Sequence, residues 1–209
     1  MKLLVFGQTG QLARELIRRA PPGVHLTALG RAQADLAVPA DCAAAIARAK
    51  PDVVINAAAW TAVDKAETDE ATATVINGDA PAAMAGICAG LGVPFVHVST
   101  DYVFDGAGNQ PYAPDDPTGP VGAYGRSKLA GEVGVRLAGG AHLILRTSWV
   151  ISAHGNNFVK TMLRLMAERD EVRVVADQLG TPTHAASLAR AIWALHGHSG
   201  TFHWTDAWA

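Results

Sequence analysis

The sequence predicts an α/β fold: a doubly wound parallel sheet with helices on both faces, followed by a small C-terminal lobe. Two observations predict it. Short, β-branched, near-continuously apolar runs recur along the chain, as in strands covered on both faces. Ala-rich stretches with helical spacing separate them, and strands alternating with helices build parallel βαβ units.

In order, the predicted strands are Lys2–Phe6, Val24–Leu29, Asp52–Asn56, Val93–Ser99 and His142–Arg146. A helix over Leu12–Ala20 ends before Pro21 and Pro22, which cannot continue it. A second, Pro39–Ala49, carries proline where a first turn tolerates it. A third, Ala80–Gly90, ends in glycine, a common stop. Phe104–Gly122 is a long loop rich in Gly, Pro, Asp and Asn, of the kind that usually serves a site. Beyond Val150 the texture changes: an amphipathic helix over Asn156–Asp170, a strand and loop over Val172–Thr183, a helix over His184–His196 and a short strand at Thr201–Trp204.

Composition narrows the function. A chain of 209 residues, 49% hydrophobic and 17% charged, is large enough to bury a sizeable core. A formal net charge of −2 offers no field for nucleic acid or an anionic membrane. Cys42 and Cys88 sit in Ala-rich helical stretches and read as buried free thiols. With no leader-like start and no apolar run of membrane-spanning length, a cytoplasmic protein is expected.

The first strand runs directly into Gly7, Gly10 and Ala13, spaced by threes. Small residues there allow a tight strand-to-helix turn, close approach of backbone N–H groups to a pyrophosphate, and close helix–sheet packing. The context is that of a Rossmann-like dinucleotide site. At the end of the second strand, where an acid would hold the 2′-hydroxyl of NAD, the chain has Leu29-Gly30-Arg31. A guanidinium there suits the 2′-phosphate of NADPH.

Tyr124 and Lys128 lie four apart, on one face of a helix. An ammonium beside a phenol favours the phenolate, bringing a group that titrates near 10 toward useful acid–base range. Lys128 could also hold a nicotinamide ribose. Ser99, Thr100 and Asp101 lie at the carboxyl end of a central strand, where open α/β sheets build their sites, and a hydroxyl there can polarise a carbonyl.

With these motifs, and with "PDVVINAAAWTAVDKAE", "STDYVFDG", "YGRSKLAGE", "LRTSW", "GNNFVKTMLRL" and "DQLGTPT" in order along the chain, the sequence resembles the extended short-chain dehydrogenase/reductases, and among them the reductases of dTDP-4-keto sugars. The resemblance implies NADPH- or NADH-dependent reduction of the 4-keto group of dTDP-4-dehydro-L-rhamnose to dTDP-L-rhamnose, a precursor of cell-surface polysaccharide. It implies a catalytic set of Thr100, Tyr124 and Lys128, with Tyr124 as proton donor. Gly10, Gln11 and Leu12 match the cofactor turn, Asp35 and Leu36 a pair near the adenine, and Ala57, Ala58 and Ala59 small residues along the dinucleotide. Asp101 and Trp149 match contacts to the sugar. The dTDP-sugar is the expected partner, and a homodimer is among the expectations. Some family members use Mg²⁺ at a dimer contact; Glu15 is a conceivable contributor, and no metal site is assigned.

The family pattern departs at two places. Ile151 stands where tyrosine is common, and family members continue past the point where this chain ends. The expected division is therefore a dinucleotide-binding domain over 1–150, holding the catalytic residues, and a partial, incomplete substrate lobe over 151–209. Weak binding of the dTDP-sugar and open apolar surface at Trp204 and Trp208 follow from that expectation. Two other readings stand beside the reductase: a non-catalytic dinucleotide-binding regulatory subunit, and a nucleotide-sugar epimerase or dehydratase. A dehydratase wants a second acid beside its threonine, and Asp101 has no adjacent glutamate.

Overall fold

A computed structural model describes residues 1–206; Trp208 lies outside the described residues. Six strands form one sheet: β1 (Lys2–Phe6), β2 (His25–Leu29), β3 (Val53–Asn56), β4 (Phe95–Thr100), β5 (His142–Thr147) and, last in the chain, β8 (Gly200–His203). Their order is β2-β1-β3-β4-β5-β8, and every pair is parallel. The order reverses between β1 and β3, which opens a crevice at the carboxyl ends of the strands.

The period-2 alternation of β1 sorts its side chains into two cores. Leu4 and Phe6 point to one face, with Val54, Phe95 and Ile144, under α2 (Pro39–Ala49) and α5 (Ala80–Leu91). Leu3 and Val5 point to the other, with Ile55, Val96 and Leu145, under α1 (Gln11–Arg18) and α8 (Ala185–Leu195). Cys42 and Cys88 are free and buried in the first core, and burial pushes their thiols up to about 11 and about 12. Among the described residues no helix is long and apolar enough to cross a membrane.

Between β3 and α5 the chain makes two short helices, α3 (Val63–Ala66) and α4 (Glu70–Thr74), and a π turn, Val75–Asp79, that runs on into α5. The Ala-rich texture before Ala80 carries no clear helical period, so this stretch was not legible as helix. α6 (Ala123–Leu137) follows the long loop and packs on the π turn and on β4. Gly131 makes that approach possible, because a side chain there would collide with the Asn77 carbonyl oxygen.

The region after β5 splits. α8 and β8 complete the main sheet and its second core, while β6 (Val150–Ile151), α7 (Phe158–Glu168) and β7 (Thr183–His184) lie outside it, β6 pairing with β7. The strand expected near Val172 is not formed: apart from β7, the run to Thr183 has no ladder partner among the described residues, and Val174 and Val175 are exposed. Its β-branched residues favour a strand only where a neighbour pairs with them. On α7, Phe158, Leu163 and Met166 are exposed. Trp204, expected on open surface, is instead half-buried against the second core, and its Nε1 donates to Ser187 Oγ at 3.3 Å.

Candidate active site

Gly7 leaves β1 with φ +110°, a conformation that side-chain-bearing residues rarely adopt. A Cβ there would lie 3.3 Å from the Ala57 carbonyl carbon and oxygen and 3.5 Å from Ala13 Cβ, so the turn and the small residue after it are close-packed. Gly10 caps α1 in an extended conformation; no side chain among the described residues caps that helix, and a Cβ on Gly10 would meet nothing. The first N–H groups of α1 are thus left for an anion on the cavity side.

That cavity, about 1260 Å³, lies at the carboxyl ends of the strands. It collects the residues expected to meet cofactor and sugar, and the expected catalytic set. Gly7, Gly10, Gln11 and Leu12 form one wall; Arg31, Asp35 and Leu36 follow β2; Ala57, Ala58 and Ala59 follow β3. Thr100 and Asp101 come from the end of β4, Tyr124 and Lys128 from α6, and Trp149 from the turn after β5. Arg31 is largely exposed, its Nε 3.9 Å from Asp35 Oδ1, free to meet a ligand. Trp149 is 42% exposed rather than core; its φ is +43°, and its indole lies close enough to Gly180 that a Cβ there would meet it at 2.8 Å.

Thr100 Oγ1 donates to Asp101 Oδ1 at 3.0 Å and accepts from Tyr102 N at 3.2 Å. Burial raises the Asp101 carboxyl, against the hydrogen bonds from Thr100 and the backbone. Tyr124 stands edge-on to Tyr102, ring centroids 5.5 Å apart. Its phenol is pushed up to about 12 by burial and the charge of Asp101, with Thr100 opposing. That differs from the expectation that Lys128 lowers it. Lys128 is buried, its Nζ donating to Val98 O at 2.7 Å and lying 3.4 Å from His97 Nε2. Burial brings the ammonium itself down to about 8, against the pull of Glu132. A phenol that stays protonated at neutral pH is still the form a proton donor requires.

Several contacts were not legible in the sequence. Gln11 ties the cofactor turn to the region after β5: Nε2 donates to Val150 O at 3.1 Å, while Oε1 accepts from Asn157 Nδ2 at 2.9 Å and Ser152 Oγ at 3.1 Å. Ser99 turns from the site, donating to Glu132 Oε1 at 2.6 Å. Asn56, in the cavity wall, meets His97 through adjacent strand registers. Thr147, facing Thr100 across the β4–β5 ladder, has a buried hydroxyl with no partner among the described residues, at the cavity wall. The pairings become visible only when the strands are aligned.

The family described as RmlD substrate binding domain matches residues 1–207. The chain belongs to this RmlD family. It is 51% identical to a dTDP-4-dehydrorhamnose reductase of Sinorhizobium fredii over 93% of its own length; it spans 66% of that relative, just under two thirds. It superimposes with a TM-score of 0.93 on a dTDP-4-dehydrorhamnose reductase of Clostridium acetobutylicum, 39% identical, covering 98% of this chain and 74% of the other. A Bacillus anthracis dTDP-4-dehydrorhamnose reductase in complex with NADP gives the same TM-score at 35% identity, covering 99% and 74%. Within the RmlD pattern, Ile151 lines the cavity and brings a hydrocarbon side chain where a phenol was expected.

Glu15 is already engaged on α1. Burial alone would raise its carboxyl, but hydrogen bonds from Arg18 and Arg19 hold it down to about 2, and His154 Nε2 lies 3.2 Å from its other oxygen. Among the described residues no three His, Cys, Asp or Glu side chains cluster as a site for Mg²⁺ would require.

Proposed function

We propose that this chain carries the NAD(P)H-dependent reductase site for the 4-keto group of a dTDP-4-keto-6-deoxy sugar, dTDP-4-dehydro-L-rhamnose being the substrate. The observation that carries the reading is the convergence of Thr100, Tyr124 and Lys128 on the cavity that the Gly7–Gly10 turn opens. The dinucleotide fits this cavity: Gly7 is crowded against Ala57, and the uncapped start of α1 is suited to a pyrophosphate. When bound, it supplies the hydride.

The chain's own residues do the rest. Ala57, Ala58 and Ala59 leave room for the dinucleotide, and Arg31 favours a 2′-phosphate, so NADPH is preferred to NADH. Thr100 orients the carbonyl, and Tyr124 donates its proton to the alkoxide that forms there. Lys128 holds the ribose and the floor of the site. Asp101 and Trp149 hold the sugar. The domain division proposed is a dinucleotide-binding part over 1–150 and a substrate-binding part drawn from the residues after 150. A cytoplasmic setting and a homodimer complete the reading.

Titration with NADPH and NADH, followed by addition of the ketosugar and analysis of the product, tests it. Tight NADPH binding with formation of dTDP-L-rhamnose is expected. NADPH binding without ketosugar reduction would favour the regulatory-subunit reading.

A further inference from the structure

Behind the proposed catalytic lysine lies a buried chain of polar groups. Asn56 Oδ1 accepts from Ala58 N at 3.2 Å, which fixes the orientation of the amide. Its Nδ2 therefore faces His97 Nδ1, 3.3 Å away. An amide nitrogen can only donate, so Nδ1 must be the bare nitrogen of the ring. His97 is fully buried, and burial together with the Lys128 charge keeps it neutral, well below its ordinary titration range. Its single proton is then on Nε2, which points at Lys128 Nζ across 3.4 Å. A neutral amine can accept that proton's hydrogen bond while donating to Val98 O. An ammonium has no lone pair and meets Nε2–H donor to donor. Charging Lys128 thus strains the contact or forces the ring to change tautomer and lose Asn56.

We propose that His97, locked by Asn56 with its proton on Nε2, is a positioning residue that opposes the charged form of Lys128 and sets the pH range over which the site works. The role of Lys128 in this inference rests on the reductase reading; the tautomer logic does not. The ionisable groups that act on Lys128 are Glu132 on α6 and His97 on β4; Tyr124 on α6 and Asp101 and Tyr102 on the turn after β4 share its cavity wall, and Arg146 on β5 reaches it only through Glu132. Glu132 favours the ammonium, but its carboxylate is shared among Arg146, Arg136 and Ser99. The π turn packed on α6 presents Asn77, a neutral group bound to Ser127. His97 is thus the group here whose tautomer alone can oppose the charge.

Two measurements on the protein without nucleotide or sugar test this. A long-range proton–nitrogen correlation spectrum of the native protein reports the His97 tautomer; Nε2–H is expected, and Nδ1–H would overturn the proposal. Titration of Lys128 by carbon NMR of labelled lysine, assigned with Lys128→Met, follows in the native protein, His97→Leu and Asn56→Ser. The native midpoint is expected near 8, and about one pH unit higher in each variant that folds. An unchanged midpoint in a folded variant would overturn it. If the site reduces ketosugar, the alkaline limb of its pH profile moves with the midpoint. Because the spectra need no turnover, a failed reductase reading would leave them standing or falling alone.

Discussion

Glu132 and Arg146 lock the helix that carries Tyr124 and Lys128 to β5. Arg146 Nε donates to Glu132 Oε1 at 2.9 Å and Nη2 to Oε2 at 2.7 Å, with both side chains buried. Removing one partner of a buried pair strands the other charge, whereas removing both leaves an apolar contact. Glu132→Ala is expected to destabilise the chain by about 3–5 kcal/mol, and Glu132→Leu with Arg146→Met to recover most of the loss. Urea unfolding of the two variants checks this; a double variant no more stable than the single would count against it.

Gly7 needs both its positive φ and its missing side chain. Gly7→Ala places a Cβ against the Ala57 carbonyl in a strained conformation. Loss of about 1–3 kcal/mol of stability is expected, together with weaker NADPH binding. Thermal unfolding and calorimetric titration check the two; an alanine variant as stable and as tight as the native protein would contradict the close packing of the turn.

Arg31 is exposed and, among the described residues, held by a 3.9 Å approach to Asp35. Arg31→Ala is expected to weaken NADPH roughly tenfold and leave NADH within about twofold, with a smaller difference at high salt. Titration with both nucleotides decides it. Tighter binding of NADH than NADPH by the native protein would refute the 2′-phosphate role.

Glu15 binds its proton less readily in the folded chain than its ordinary 4.5, its carboxyl lying at about 2. The stabilisation is therefore complete above pH 4.5 and is lost as pH falls toward 2. Stability measured in urea should decline across that window, and Glu15→Gln should decline less. Equal acid sensitivity of the two proteins would remove Glu15 from the account.

What was legible in the sequence was local. The Gly7-Gly10-Ala13 turn, the four-residue spacing of Tyr124 and Lys128, and the hydroxyls closing β4 each depend on neighbours a few positions away. The parallel sheet followed from apolar runs at regular intervals, and its first five strands match to within two residues at their ends, whereas β8, assigned to the lobe, joins the sheet beside β5. What was not legible depends on pairings between distant strands. Asn56 meets His97 only through the β3–β4 register, and Glu132 meets Arg146 only once α6 lies on β5. The direction of the Lys128 amine was hidden for the same reason: helical spacing places it beside Tyr124, but the carbonyl of Val98 draws it inward. Val174 and Val175 misled in the opposite sense, having strand character but, among the described residues, no strand beside them.

The most direct test of the account is single-turnover oxidation of NADPH on addition of dTDP-4-dehydro-L-rhamnose, compared between the native protein and Tyr124→Phe. The phenol lies in the cavity with Thr100, and is held protonated at neutral pH. Ketosugar-dependent oxidation by the native protein is expected, slowed by about 10²–10⁴ in the variant, with NADPH affinity unchanged. Oxidation at the native rate in Tyr124→Phe, or none in the native protein while NADPH is bound, would contradict it.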